Sequence, residues 1–261
     1  MAPTTRRAFR EPLAAKVPEV TAVFWVVKIL TTAGGEAVSD YLALGSKVVG
    51  GAVELGLFLV GLAWQFRTRR YTAAAYWFLA YAIAIFGCGV ADVMHKTVGI
   101  PYAGTSLFWG IVLAGVLVVW FRTEGTLSIH SITTRRRELF YWSTVFATFA
   151  LGTAVGDFTA TALGLGYLSS GIVFTVLILM PWLARSRYGL GEVAAFWWAY
   201  VLTRPLGASF ADFLCKSPSV SGIGFGEART AVLLTIAVTV LVAYLSVARR
   251  DVQPQVEAAR D

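Results

Sequence analysis

Histidine and cysteine, on which most metal centres and thiol chemistry rely, are nearly missing from this chain of 261 residues, which has two of each. Cys88 and Cys215 both fall in long apolar stretches and make no CxxC pair, so neither a disulfide framework nor a redox dithiol is on offer. His95 and His130 are the only imidazoles, and His130 sits in a basic connection, which leaves bis-histidine haem ligation within an apolar layer unsupported. Charge is scarce too, at 14% of residues. No P-loop, Rossmann fingerprint, HExxH or GxSxG pattern occurs, which leaves an intramembrane enzyme as a distant reading. The stretch before the first apolar run holds arginines and no apolar core, so it does not read as a cleaved signal peptide.

What the chain has in abundance is apolar surface. With 57% hydrophobic residues and a mean hydropathy of +0.68, it reads as a polytopic membrane protein. One frame, FWVVKILTTAGGEAVSD ending at Asp40, returns without gaps in stretches ending at Asp92, Asp157 and Asp212. Each copy carries an aromatic pair, a glycine and an aspartate in register: Trp25, Trp77, Trp142 and Trp197, then Gly35, Gly87, Gly152 and Gly207. That is an internal repeat. Each copy lies in an apolar stretch of about 20 residues or more and is followed by a second, the length that crosses a hydrocarbon core. The expected spans are 19–44, 46–66, 72–98, 102–121, 138–163, 165–184, 193–216 and 225–248. The fold class is therefore all-α, with eight transmembrane helices in four two-helix repeats, 19–66, 72–121, 138–184 and 193–248. A segment 1–18, a basic loop 122–137 and a tail 249–261 flank or join them. Glycine-rich odd-to-even turns such as Ala43-Leu44-Gly45 suggest hairpins of paired helices.

Arginine clusters mark one side: Arg6, Arg7 and Arg10 before the first span, Arg67, Arg69 and Arg70, the run Arg135 to Arg137, and Arg249, Arg250 and Arg260. Lys16 is counted with them as a solvated charge that holds topology, whereas the other side has little beyond Lys47, Lys96 and Lys216. This bias puts both termini in the cytoplasm and explains the net charge of +7 without nucleic acid. Because two spans make one repeat, the copies run parallel and all four aspartates reach one depth. Fifteen residues separate each tryptophan from its aspartate, about 22 Å of helix. Tryptophans at the cytoplasmic interface would place the aspartates in the outer part of the membrane.

Acids at that depth cost about 2.5–3.5 kcal/mol each on insertion scales, and usually face a wet cavity or a bundle interior. Asp40, Asp92, Asp157 and Asp212, with Glu36 one turn below Asp40 and Glu54 in the second span, are the candidate cation-binding residues. Lys28 and Arg204, which precedes Pro205, are the candidate compensating charges. Four residues before the aspartate the copies carry Glu36, Cys88, Thr153 and Ala208. Glu36 with Asp40, and Cys88 with Asp92 and His95, share helix faces, so these five could converge on a divalent metal. The glycines, each followed four residues later by a small residue, read as close-packing seams.

The W-x9-G-x4-D frame, with KVPEVTAVFWVVKILTTAGGEAVSD and its echo FALGTAVGDF, resembles the bacterial membrane proteins built from the domain-of-unknown-function 347 repeat, over about residues 16–248. The resemblance implies an integral membrane protein with four copies and brings no activity or ligand set. The leading expectation is a multi-pass transporter or channel of the bacterial inner membrane that handles a proton or divalent metal as substrate, with no resident cofactor. Its partners are the bilayer and the cation, and a homo-oligomer is left open. The alternative is a non-transporting scaffold whose aspartates tie helices together.

Overall fold

A backbone surrounded by hydrocarbon must satisfy its own polar groups, and the apolar stretches of this chain do so as helices. The computed structural model describes residues 15–253; Arg6, Arg7, Arg10 and Arg260, used above for topology, lie outside them. Eight long helices follow one another: α1 (Ala22–Ala43), α2 (Lys47–Arg67), α3 (Ala73–Asp92), α4 (Tyr102–Glu124), α5 (Arg135–Asp157), α6 (Tyr167–Tyr188), α7 (Glu192–Cys215) and α8 (Glu227–Ala248). Hydroxyls of Thr21, Ser46 and Thr134 accept backbone N–H bonds and start α1, α2 and α5. Left-handed Gly125 and Gly189 end α4 and α6. Among the described residues seven helices are long and apolar enough to cross a membrane by themselves, and α7, which carries Arg204 and Asp212, is the long helix left out. It packs against α1, α5 and α6, and this enclosure replaces hydropathy. The Glu19 N–H donates to the Asp251 carbonyl, so both ends of the described chain meet on one side, as an even number of crossings requires.

The odd helices form an inner ring, α1 to α3 to α5 to α7 and back to α1, and the even helices surround it. Helices α1, α3 and α5 are 61–67% buried in their apolar windows, against 22–28% for α2, α4, α6 and α8. The expected hairpin pairing is corrected here: each even helix docks mainly on the odd helix of the next repeat, α2 on α3, α4 on α5, α6 on α7 and α8 on α1. A single stripe suffices for the outer helices. Gly50, Thr105, Ser170 and Thr230 stand at the same place in the four, with Glu54, Trp109, Phe174 and Leu234 one turn on, and all are buried.

The repeated glycines make the inner joints. A Cβ on Gly35 would press into Ala84, one on Gly87 into Phe149, one on Gly152 into Arg204, and one on Gly207 into Thr32. In every case the neighbour stands eight residues before the next repeat's aspartate, so one joint is used four times around the ring. At Gly207 the added carbon would lie 2.9 Å from the Ala33 nitrogen. Backbone cannot retreat from such a contact cheaply. Gly207→Ala should therefore destabilise by about 1–3 kcal/mol, while Gly110→Ala, with nothing within 4 Å of the new carbon, should be neutral or stabilising. Thermal unfolding of the two variants in detergent checks the contrast.

The repeated aromatic pair closes the terminus-bearing end. Phe24 packs on Trp77 (ring centroids 5.6 Å apart), Tyr76 on Trp142 (5.2 Å), Tyr141 on Trp197 (6.2 Å) and Phe196 on Trp25 (5.8 Å). These tryptophans wedge between neighbouring inner helices: Trp25 is half-buried, and Trp77, Trp142 and Trp197 are buried. Beyond this plug lies a polar cap. Lys16, expected as a solvated charge, is instead buried with its ammonium 2.6 Å from Glu138 and 2.7 Å from the Gln65 carbonyl. Arg135 completes the pairing of Glu138 at 2.8 Å. Burial pushes the Lys16 ammonium down from its ordinary range, and Glu138 opposes that shift.

Candidate functional site

Because Lys28, Glu36 and Asp40 follow one another at helical spacing on α1, a column of polar side chains rises from the plug along the inner ring. Lys28 comes first. Its ammonium lies 3.9 Å from the Phe149 ring centre and 4.2 Å from that of Tyr200, and no ion pair holds it among the described residues. The expected pairing of Lys28 with an acid is therefore replaced by two aromatic faces. Arg204, fully buried on α7, is the cation that meets Glu36: its Nη2 donates to the Glu36 carboxylate at 2.5 Å and to the Thr153 hydroxyl at 2.7 Å. Thr153 and Glu36 occupy equivalent places in repeats three and one, so one guanidinium joins three of the four inner helices. Pro205 does not interrupt α7, although it removes a backbone donor one turn after Val201.

One turn higher the carboxylates gather. Glu36, Asp40 and Asp212 are all buried, and each offers an oxygen within 4.8 Å of the others'. Asp40 and Asp212 are repeat equivalents brought together by ring closure of α7 on α1. Lys216 sits at their mouth. Its ammonium bonds Asp40 and lies 3.7 Å from Asp212 and 3.6 Å from Glu227 at the start of α8. The Asp212 oxygen that faces Lys216, Oδ1, is buried and makes no hydrogen bond among the described residues, the ammonium standing beyond hydrogen-bond distance. Such an acceptor is expensive to leave unfilled.

The other two aspartates belong to the same electrostatic neighbourhood but are arranged differently. Asp92 pairs with Lys96 at 2.7 Å, and the charge of Lys96 also acts on Asp157 and Asp40. After Asp92 and Asp157 the chain widens into π-helical turns, Val93–Thr97 and Phe158–Ala162, whereas α1 and α7 have none at that point. Widened turns of this kind recur at functional places in helices. Asp92 and Asp157 are half-buried and Asp40 and Asp212 fully so. The aspartates thus repeat four times in sequence, but the backbone beyond them widens in repeats two and three only, and a lysine follows four residues later in repeats two and four only.

Of the remaining candidates, Glu54 reaches from the outer helix α2 to accept the Ser39 hydroxyl at 2.7 Å and fills the space over Gly89, so it ties α1, α2 and α3 together. Cys88 is buried on α3. His95 turns aside, bonding the Ile100 carbonyl at 2.7 Å and stacking on Tyr102 at 3.4 Å. The grouping of Glu36 and Asp40 with Cys88, Asp92 and His95 is accordingly corrected: among the described residues the ligand atoms that converge are those of Glu36, Asp40 and Asp212. Sequence reasoning missed Lys216 and Glu227, whose signals were the i,i+4 spacing of Lys216 from Asp212 and an acid at a helix start.

The family described as Repeat of Unknown Function (DUF347) matches the chain four times, over residues 23–71, 75–126, 140–189 and 195–251. Each match holds one inner helix and the outer helix that follows. No curated protein and no solved structure matches the chain.

Proposed function

Because the chain belongs to the family of the Repeat of Unknown Function (DUF347), whose description assigns no activity, we propose a function from its residues: a multi-pass membrane transporter that handles a cation, a proton or a divalent metal, through the carboxylate cluster of Glu36, Asp40 and Asp212. The observation that carries this reading is the convergence of three buried carboxylates from two repeats, one with an oxygen that makes no hydrogen bond among the described residues and meets the Lys216 ammonium only at 3.7 Å. Oxygen donors in this number suit a hard divalent cation or a shared proton. Lys216 is a tethered cation in the same place, and an incoming ion must displace it. Asp92 and Asp157 add negative charge at the same depth, which concentrates cations at the mouth.

Arg204 and Lys28, further along the column, oppose free passage of a cation, so a carrier that exchanges ions at the cluster fits better than an open pore. The basic connections support a reading in which the aromatic plug faces the cytoplasm across a bacterial inner membrane and the cluster faces outward. Two readouts test the proposal in proteoliposomes, with dyes sensitive to protons and to manganese inside the vesicles. Wild-type protein should carry one of the two ions. The Asp40→Asn/Asp212→Asn variant, which keeps shape and hydrogen-bonding capacity, should lose at least about tenfold of that flux while melting as a folded protein. Undiminished flux in this variant would remove the cluster from transport and leave the carboxylates as helix ties.

A further inference from the structure

The inner part of the column has a charge imbalance that the carboxylate cluster does not resolve. Two cations are buried there, Lys28 and Arg204, against one carboxylate, Glu36. The next acids outward, Asp40 and Asp212, already face Lys216. Glu36 engages only one end of the guanidinium. Arg204 Nε and Nη1 are buried without hydrogen-bond partners, and so is the Tyr200 hydroxyl. The rings of Phe149 and Tyr200 stabilise the Lys28 charge through their faces but accept no ordinary hydrogen bond from its three donors. Both cations lie over the same Phe149 ring, Lys28 Nζ at 3.9 Å and Arg204 Cζ at 5.6 Å from its centre.

We propose that this inner part of the column is a binding site for a small monovalent anion of the halide class, held between the Lys28 ammonium and the free edge of the Arg204 guanidinium. One negative charge balances the two cations and Glu36. A doubly charged anion such as sulfate leaves an excess of the opposite sign and costs more to dehydrate. Donors without acceptors, grouped around an excess of positive charge in a low-dielectric interior, are the complement of such an ion. Glu36 is then the competitor of the anion for Arg204, as Lys216 is the competitor of a cation for Asp40. The site shares Glu36 with the carboxylate cluster, but its two cations, Lys28 and Arg204, lie outside that cluster, so either reading can fail without the other.

Sodium bromide against sodium gluconate at constant ionic strength is the probe, with the melting temperature of the purified full chain in detergent as readout. Wild-type protein should be stabilised saturably by bromide. Lys28→Met, which keeps the length of the side chain and removes a buried charge, should weaken the apparent affinity by about tenfold or more. Glu36→Gln, which frees the guanidinium, should tighten it by about tenfold. The Asp40→Asn/Asp212→Asn protein should keep a saturable bromide response no weaker than that of wild type, so that failure of the cation reading and failure of this one are told apart. Absence of a saturable response in wild type, an unchanged response in Lys28→Met, or a weaker one in Glu36→Gln would each overturn the site.

Discussion

Lys216→Met should tighten manganese or proton binding at the carboxylate cluster by about 10- to 100-fold. The ammonium bonds Asp40 and lies within 3.7 Å of Asp212 and Glu227, so it fills the place an external cation would take. Displacing a charge-assisted bond of this kind costs about 1.5–3 kcal/mol, which sets the expected factor. Methionine keeps an unbranched stem of similar length and supplies no charge. Removing Lys216 also leaves two buried carboxylates facing each other, so the variant should melt lower without metal and recover when metal is added. Calorimetric titration of manganese into the purified protein measures the first effect. Lys216→Arg, which retains the tethered charge, should stay close to wild type. Equal or weaker binding in Lys216→Met would mean that the lysine helps to build the site rather than to block it.

Arg204→Met should cost about 3–5 kcal/mol of stability, because it leaves Glu36 buried with no cation at 2.5 Å. The stem of Arg204 packs where a Cβ on Gly152 would otherwise be, and methionine preserves much of that contact. The loss is thus assigned to charge rather than to a cavity. The double variant Glu36→Met/Arg204→Met should regain most of it, since apolar replacement of a buried pair is often neutral or favourable. Unfolding in mixed micelles, compared across the two single variants and the double, gives the coupling. A stable Arg204→Met protein would show that the ion pair with Glu36 adds nothing to the stability of the inner ring.

Much of the architecture could be read from the repeat, because lipid imposes a strict period and length. The eight helices, the parallel course of the four repeats and the packing role of Gly35, Gly87, Gly152 and Gly207 follow from spacing and side-chain size alone. What the repeat could not convey is which neighbour each seam meets. The joint of Gly207 with Thr32 closes the chain on itself across 175 positions, and only the ring geometry makes them neighbours. The site was legible where residues of one helix share a face, as Glu36 and Asp40 do. It was not legible where helices meet. Arg204 was expected among compensating charges, but its choice of Glu36 over other acids depends on α7 abutting α1. Lys216 looked like a sparse outside charge, although its place four residues after Asp212 was a signal of local pairing. The π-helical turns after Asp92 and Asp157 separate two aspartates from the other two, and no residue type at those positions announces them.

The docking of α8 beside α1 gives this protein a circular order with no privileged beginning. Every joint is a contact between one repeat and its successor, and the fourth is succeeded by the first. A gene reopened in the 122–134 connection, with residues near 19 and 251 joined, would encode the same set of contacts. By the same logic one two-helix unit carries both halves of each joint, so four separate copies could close the ring that a single chain now closes alone.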